Sequence, residues 1–209
     1  IGEQAFGNCT GFNGTLTLSS KLGKIGQYAF YGCTGFTGSL KLPSSLTDIG
    51  IAAFQDCKYF TSLELSNALS AFRGCEGLSG SLVIPNSVTE IGEQAFYGCT
   101  GFNGTLTLSS KLGKIGQNAF NGCTGFTGSL KLPSSLTDIG IAAFVICKSF
   151  TSLELSNTLS VIPGSAFRGC VGLSGSLVIP DGVKEIGANA FLGCTGFNGT
   201  LTLSNKLET

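Results

Sequence analysis

Histidine, methionine and tryptophan are absent from the 209 residues, and only 11% of the chain is charged. Without histidine there is no commonest general base and no usual partner for a serine or cysteine nucleophile. Acidic and basic residues number 12 each, so no net field draws the chain to nucleic acid or to an anionic membrane. No apolar run approaches the roughly 18 residues of a membrane span, which argues against membrane insertion. The opening Ile1-Gly2-Glu3-Gln4-Ala5-Phe6 has neither the basic start nor the apolar stretch of a signal peptide. A mature or excised segment would look the same.

Glycine is abundant, at 32 residues, and the nine cysteines reveal a repeat. Cys9, Cys33, Cys57, Cys75, Cys99, Cys123, Cys147, Cys170 and Cys194 are separated by 24, 24, 18, 24, 24, 24, 23 and 24 residues. Each closes a turn such as Ala29-Phe30-Tyr31-Gly32-Cys33, and an apolar triplet such as Leu40-Lys41-Leu42 follows. A fixed period of this length is the signature of a solenoid. A longer period lies above it, because residues 1–70 and 91–160 differ only at positions 7, 8, 28, 31, 55, 56, 59 and 68. The expected organisation is a single domain over 1–209. Its four-repeat block at 1–90 is copied at 91–185, and a third copy then begins. The first copy lacks five residues after Ser70, where the second has Val161-Ile162-Pro163-Gly164-Ser165, and this loss is expected to distort one turn.

Alternating apolar residues of each triplet share one face of a strand. One short strand per roughly 24 residues leaves too little chain for a crossover helix and predicts a coil that lays each strand parallel to the last. In I-G-x-x-A-F-x-G-C the apolar offsets 0, 4, 5 and 8 predict a short helical or 3₁₀ turn on the outer, convex side. Its Ile, Ala, Phe and Cys would point inward, and its Gly would close it. No turn can bury its apolar side alone, so nine turns are expected to stack, with a ladder roughly 40 Å long at about 4.8 Å per strand.

This unit resembles the leucine-rich repeat, specifically the BspA-like class of bacterial and protozoan surface proteins. Phe60-Thr61-Ser62-Leu63-Glu64-Leu65 fits the L-x-x-L-x-L pattern directly. Most other turns carry one more residue, as in Phe36-Thr37-Gly38-Ser39-Leu40, whose Gly would absorb a bulge. The asparagine usual after the strand is not evident, which leaves the inner turn to Ser and Thr hydroxyls or to the Cys row. The resemblance implies an α/β leucine-rich-repeat solenoid, an extracellular or cell-surface location, and ligand binding on the concave face.

The middle residues of the triplets form a column on that face: Thr17, Lys41, Glu64, Val83, Thr107, Lys131, Glu154, Val178 and Thr202. Thr15, Ser39, Ser62 and Ser81 flank it. Lys41 beside Glu64 and Lys131 beside Glu154 set opposite charges on neighbouring strands. Such pairs stabilise a ladder by about 0.2–1 kcal/mol each, so the column reads also as a passive solvated face. It lacks the aromatic and arginine anchors of binding hot spots.

One cysteine per turn in an odd count is not a disulfide framework; a column of buried thiols fits instead. Zinc would need C-x₂-C pairs or histidine, so neither metal nor cofactor is expected. The Ser and Thr residues recur at fixed repeat positions, and no G-K-[ST] follows the Gly-rich stretches, so no catalytic site is expected. Asn13, Asn103 and Asn198 each head an Asn-Gly-Thr. They read as glycosylation acceptors in a host that glycosylates exported proteins, or as turn residues. Tyr28, Tyr31, Tyr59 and Tyr97 lie in or beside the convex turns and are candidates for a second contact surface.

Neither end shows a polar capping repeat, and joining Thr209 to Ile1 restores the period of 24. The chain is therefore expected to be part of a longer array or to stack head to tail. The functional expectation is a non-enzymatic surface or secreted scaffold for adhesion or protein contacts. Its partner would be a protein or cell-surface ligand; the alternative is a fibre subunit whose partners are further copies of itself.

Overall fold

The computed structural model of the protein describes residues 1–65 and 71–208. Among these the chain forms 15 short strands and no helix. One set carries the first two residues of the apolar triplets: β2 (Gly38–Lys41), β4 (Phe60–Glu64), β5 (Leu82–Val83), β7 (Leu106–Thr107), β9 (Gly128–Lys131), β11 (Phe150–Glu154), β13 (Gly175–Val178) and β15 (Phe197–Thr202). The other ends on the Ile that opens each repeat: β1 (Lys24–Ile25), β3 (Asp48–Ile49), β6 (Glu90–Ile91), β8 (Lys114–Ile115), β10 (Asp138–Ile139), β12 (Val161–Ile162) and β14 (Glu185–Ile186). Every pairing is parallel and joins consecutive turns.

The molecule is thus a parallel β-solenoid with two ladders. Seven turns, not nine, carry a strand in both ladders. The first turn has no strand at Leu16–Leu18. In the third turn only β5 is described. The shortening after Ser70 falls at residues 66–70, outside the described residues.

Alternation sets the faces of the Leu ladder. Leu40 and Leu42 are buried while Lys41 between them is exposed, and Leu130, Lys131 and Leu132 repeat the pattern. The registers Leu40↔Leu63, Leu82↔Leu106, Leu130↔Leu153 and Leu177↔Leu201 keep like residues in line. The extra residue of most turns is absorbed as expected: register shifts fall beside Gly38 and Gly175, whose φ values of 75° and 76° suit glycine.

The expected helical turn is replaced by something tighter. The inward residues are as read from the sequence, with Ile25, Ala29, Phe30 and Cys33 all buried. Two residues per turn, however, have left-handed backbone: the one before Ala-Phe (Tyr28, φ 53°) and the one before Cys (Gly32, φ 66°). Left-handed residues cannot continue a right-handed helix, so the segment is a chain of turns whose backbone bonds are completed by neighbouring repeats. Phe30 N–H donates to Ala53 O at 2.8 Å, and the same bond recurs from Phe96 to Ala119 and from Phe120 to Ala143. The Ile that opens the segment likewise ends a strand and does not start a helix. At Gly116 an added Cβ would lie 2.6 Å from Glu93 N in the preceding turn, so only glycine permits this approach.

The core follows from stacking like on like. Phe6, Phe30, Phe54, Phe72, Phe96, Phe120, Phe144, Phe167 and Phe191 form one column with neighbouring centroids 5.2–5.6 Å apart. Phe102, Phe126 and Phe150 form part of a second, set edge-on to the first. At the margins of the stack Phe6, Phe12, Leu201 and Leu203 remain exposed, as terminal rungs must be.

Two core substitutions should move stability in opposite directions. Phe120→Ala removes a ring stacked on both sides and should cost about 3–5 kcal/mol. Ser129 Oγ is buried without a hydrogen-bond partner, so Ser129→Ala should leave stability unchanged or raise it by up to about 1 kcal/mol. Urea unfolding of both variants checks the pair of signs.

Candidate functional site

The predicted column exists where the Leu ladder exists. Lys41, Glu64, Val83, Thr107, Lys131, Glu154, Val178 and Thr202 lie on its strands, all exposed; Thr17 is exposed but outside any strand. The ladder registers Lys41 with Glu64, Val83 with Thr107, Lys131 with Glu154 and Val178 with Thr202. The two expected ion pairs form, Lys41 Nζ to Glu64 Oε1 at 2.9 Å and Lys131 Nζ to Glu154 Oε1 at 2.8 Å. Both are exposed and worth at most about 1 kcal/mol. The Ile ladder carries a parallel set, with Lys24–Asp48 at 2.7 Å and Lys114–Glu90 at 3.1 Å.

The flanking hydroxyls are partly committed to the fold. Ser81 Oγ accepts from Thr105 N–H at 3.0 Å, and Ser176 Oγ accepts from Thr200 N–H at 3.0 Å. Asn103 and Asn198 are exposed, and each side-chain oxygen accepts a backbone N–H of the preceding turn, from Gly80 at 2.9 Å and Gly175 at 3.0 Å. The Asn-Gly pairs therefore act as staples between turns. The amide nitrogen, to which a glycan would attach, takes no part in that bond. Asn13 is exposed in the first turn.

The cysteines form the expected column. Cys33, Cys57, Cys75, Cys99, Cys123, Cys147 and Cys170 are buried, Cys9 and Cys194 are half-buried, and none is in a disulfide. Each thiol from the second turn onward donates to the Phe carbonyl of the preceding turn, as in Cys57 Sγ to Phe30 O at 3.1 Å and Cys123 Sγ to Phe96 O at 3.0 Å. The same carbonyl accepts the N–H of its own turn's cysteine, as in Cys33 N to Phe30 O at 3.1 Å. The turn after the Leu strand is satisfied instead by hydroxyls, one of the two options read from the sequence: Lys111 N–H donates to Ser109 Oγ at 3.1 Å and Lys206 N–H to Ser204 Oγ at 3.1 Å. Burial pushes the Cys170 thiol up to about 12 and those of Cys99, Cys123 and Cys147 well above the ordinary value. These thiols stay protonated and therefore unreactive. Among the described residues no three His, Cys, Asp or Glu side chains come together as a metal site.

One cluster was only partly legible in the sequence. Tyr28 and Tyr31 meet edge-on with centroids 5.9 Å apart, and the Arg73 guanidinium sits 5.0 Å from the Tyr97 ring centroid. The tyrosines mark this wall in the sequence, but nothing there brings Arg73 to it.

Two parallel ladders, one Leu-based strand per turn and stacked Phe rungs define a leucine-rich-repeat solenoid. The chain belongs to the BspA-type leucine-rich-repeat family, whose profile matches it in six copies over residues 1–73 and 68–198. No curated protein sequence matches it significantly. A leucine-rich repeat protein of T. pallidum is 26% identical, with 85% of this chain and 72% of that one covered and a TM-score of 0.58. A leucine-rich cell surface protein from Faecalibacterium prausnitzii shares the fold at 20% identity, covering 97% of this chain and 82% of its own, with a TM-score of 0.51. The pneumococcal vaccine antigen PcpA shares it at 20% identity and a TM-score of 0.51; 89% of this chain covers 58% of that one.

The buried thiols predict the behaviour in alkali. Between about pH 9 and 12 the unfolded chain loses thiol protons that the folded chain keeps, so stability should fall as pH rises through this window. Thermal melts at pH 7.5 and 10.5 should show a lower midpoint at the higher pH. At pH 7.5 a thiol reagent should modify Cys9 and Cys194 first, and the other seven only on unfolding.

Proposed function

We propose that the protein is a non-enzymatic, surface-exposed or secreted repeat scaffold that makes adhesive or protein–protein contacts through the exposed column of its Leu ladder. The supporting observation is the column itself. Side chains from consecutive turns stand in register on parallel strands, a rigid array whose spacing is set by the backbone. Such an array engages an extended protein surface without paying for ordering its own backbone, which limits the entropic cost of binding. Membership of the BspA-type family supports a role in protein binding. The names of the Faecalibacterium cell surface protein and of the pneumococcal antigen support an extracellular setting.

Replacing Lys41, Glu64, Lys131 and Glu154 together by Ser removes equal numbers of each charge and leaves the buried leucines untouched. Adherence of the purified chain to a panel of immobilised extracellular-matrix proteins should then weaken at least about tenfold. Equal adherence of both chains would exclude the column as the contact surface. Sedimentation at micromolar concentration separates the scaffold from a fibre subunit: one discrete species supports the scaffold, and concentration-dependent filaments support end-to-end assembly.

A further inference from the structure

The two nearly identical copies within the chain provide their own comparison. Of residues 1–70, eight line two hollows on the turn wall, and five of these, Gly7, Asn8, Tyr28, Tyr31 and Gln55, are among the eight that differ from the second copy. An even scatter of eight differences over 70 positions would put about one there. A sixth difference, Asp56, accepts a hydrogen bond from Gln55 at 3.3 Å. The exposed column is no less accessible, yet Thr17, Lys41 and Glu64 recur unchanged as Thr107, Lys131 and Glu154. Change has therefore concentrated on the turn wall and not on surface in general.

The chemistry of this wall differs sharply between the copies. In the second, Asn118 and Asn121 replace the tyrosines and bond to each other at 2.9 Å, while Val145 and Ile146 replace Gln55 and Asp56. In the first, Tyr28 lines both hollows, one of about 270 Å³ and the other of about 290 Å³. Each is near the roughly 300 Å³ lower end of small-ligand sites, a size suited to one ring at a time. Gln4 and Asn8 line one side of Tyr28; Gln55, Arg73, Glu93 and Gln94 line the other. These groups supply donors and acceptors in planar, paired arrangements, and their one cation and one anion cancel.

We infer that this wall of the first block binds a neutral oligosaccharide, with successive sugar rings in the two hollows and Tyr28 between them. A sugar ring presents an apolar C–H face to an aromatic ring and hydroxyls to amides, guanidinium and carboxylate. This combination is what surrounds Tyr28. A protein partner would look instead for an apolar anchor, and Ile51 is the lone aliphatic side chain of that size in either lining. The site is separate from the exposed column, so it stands or falls independently of the scaffold reading.

The second copy shows which variant folds: Tyr28→Asn with Tyr31→Asn installs the residues that already occupy those places at 118 and 121. Saturation-transfer NMR with neutral tetrasaccharides of glucose, mannose and N-acetylglucosamine, up to about 10 mM, should show saturable binding of at least one to the unaltered chain. The double variant should bind it at least about tenfold more weakly with its melting temperature unchanged. No saturable binding of any of these sugars, or equal binding by both chains, would overturn the inference.

Discussion

In every turn but the last the phenylalanine carbonyl accepts two hydrogen bonds, one from the cysteine N–H of its own turn and one from the cysteine thiol of the next. A buried carbonyl has two lone pairs and little tolerance for leaving them empty. Here both are filled from residues that must also fit a closed apolar slot. The thiol is small, apolar enough to bury, and a weak donor, so cysteine meets all three demands. Because the acceptor lies one turn away, neither the bond nor the burial exists until two turns are stacked in phase. Cooperativity is therefore built into the repeat.

Stacking in phase then dictates what the surface can be. The Phe, Cys, Ile and Leu rows are committed to the core, and the glycine after each Ile, as at Gly116, is nearly as constrained. What remains free is the middle residue of each Leu strand and the outward positions of the turn wall. The first forms a repetitive array of Thr, Lys, Glu and Val, the same in both copies. The second is where the copies have diverged. A scaffold of this kind separates the residues that build it from those that give it particular contacts.

Much of this was legible in the chain itself. The alternation around Lys41 and Lys131 gave the faces of the Leu strands, and the one-per-turn cysteines gave the buried column. The pairing of Lys41 with Glu64 followed from register alone. The outer segment was misread because its apolar offsets also suit a helical turn. The residues that break the helix there, Tyr28, Ala52, Gln94 and Asn118, are left-handed without being glycine. No composition cue marks them. Their strain is tolerated because the neighbouring turns supply the backbone bonds, which is a tertiary effect.

The period, the inward residues and the parallel stacking were determined by the sequence, because each is a consequence of where apolar side chains recur. The second ladder and the pairing of Arg73 with Tyr97 were decided only in three dimensions, as were the hollows on either side of Tyr28. They depend on contacts between residues about one turn or more apart, whose relative placement is set by how closely glycine lets one turn approach the next.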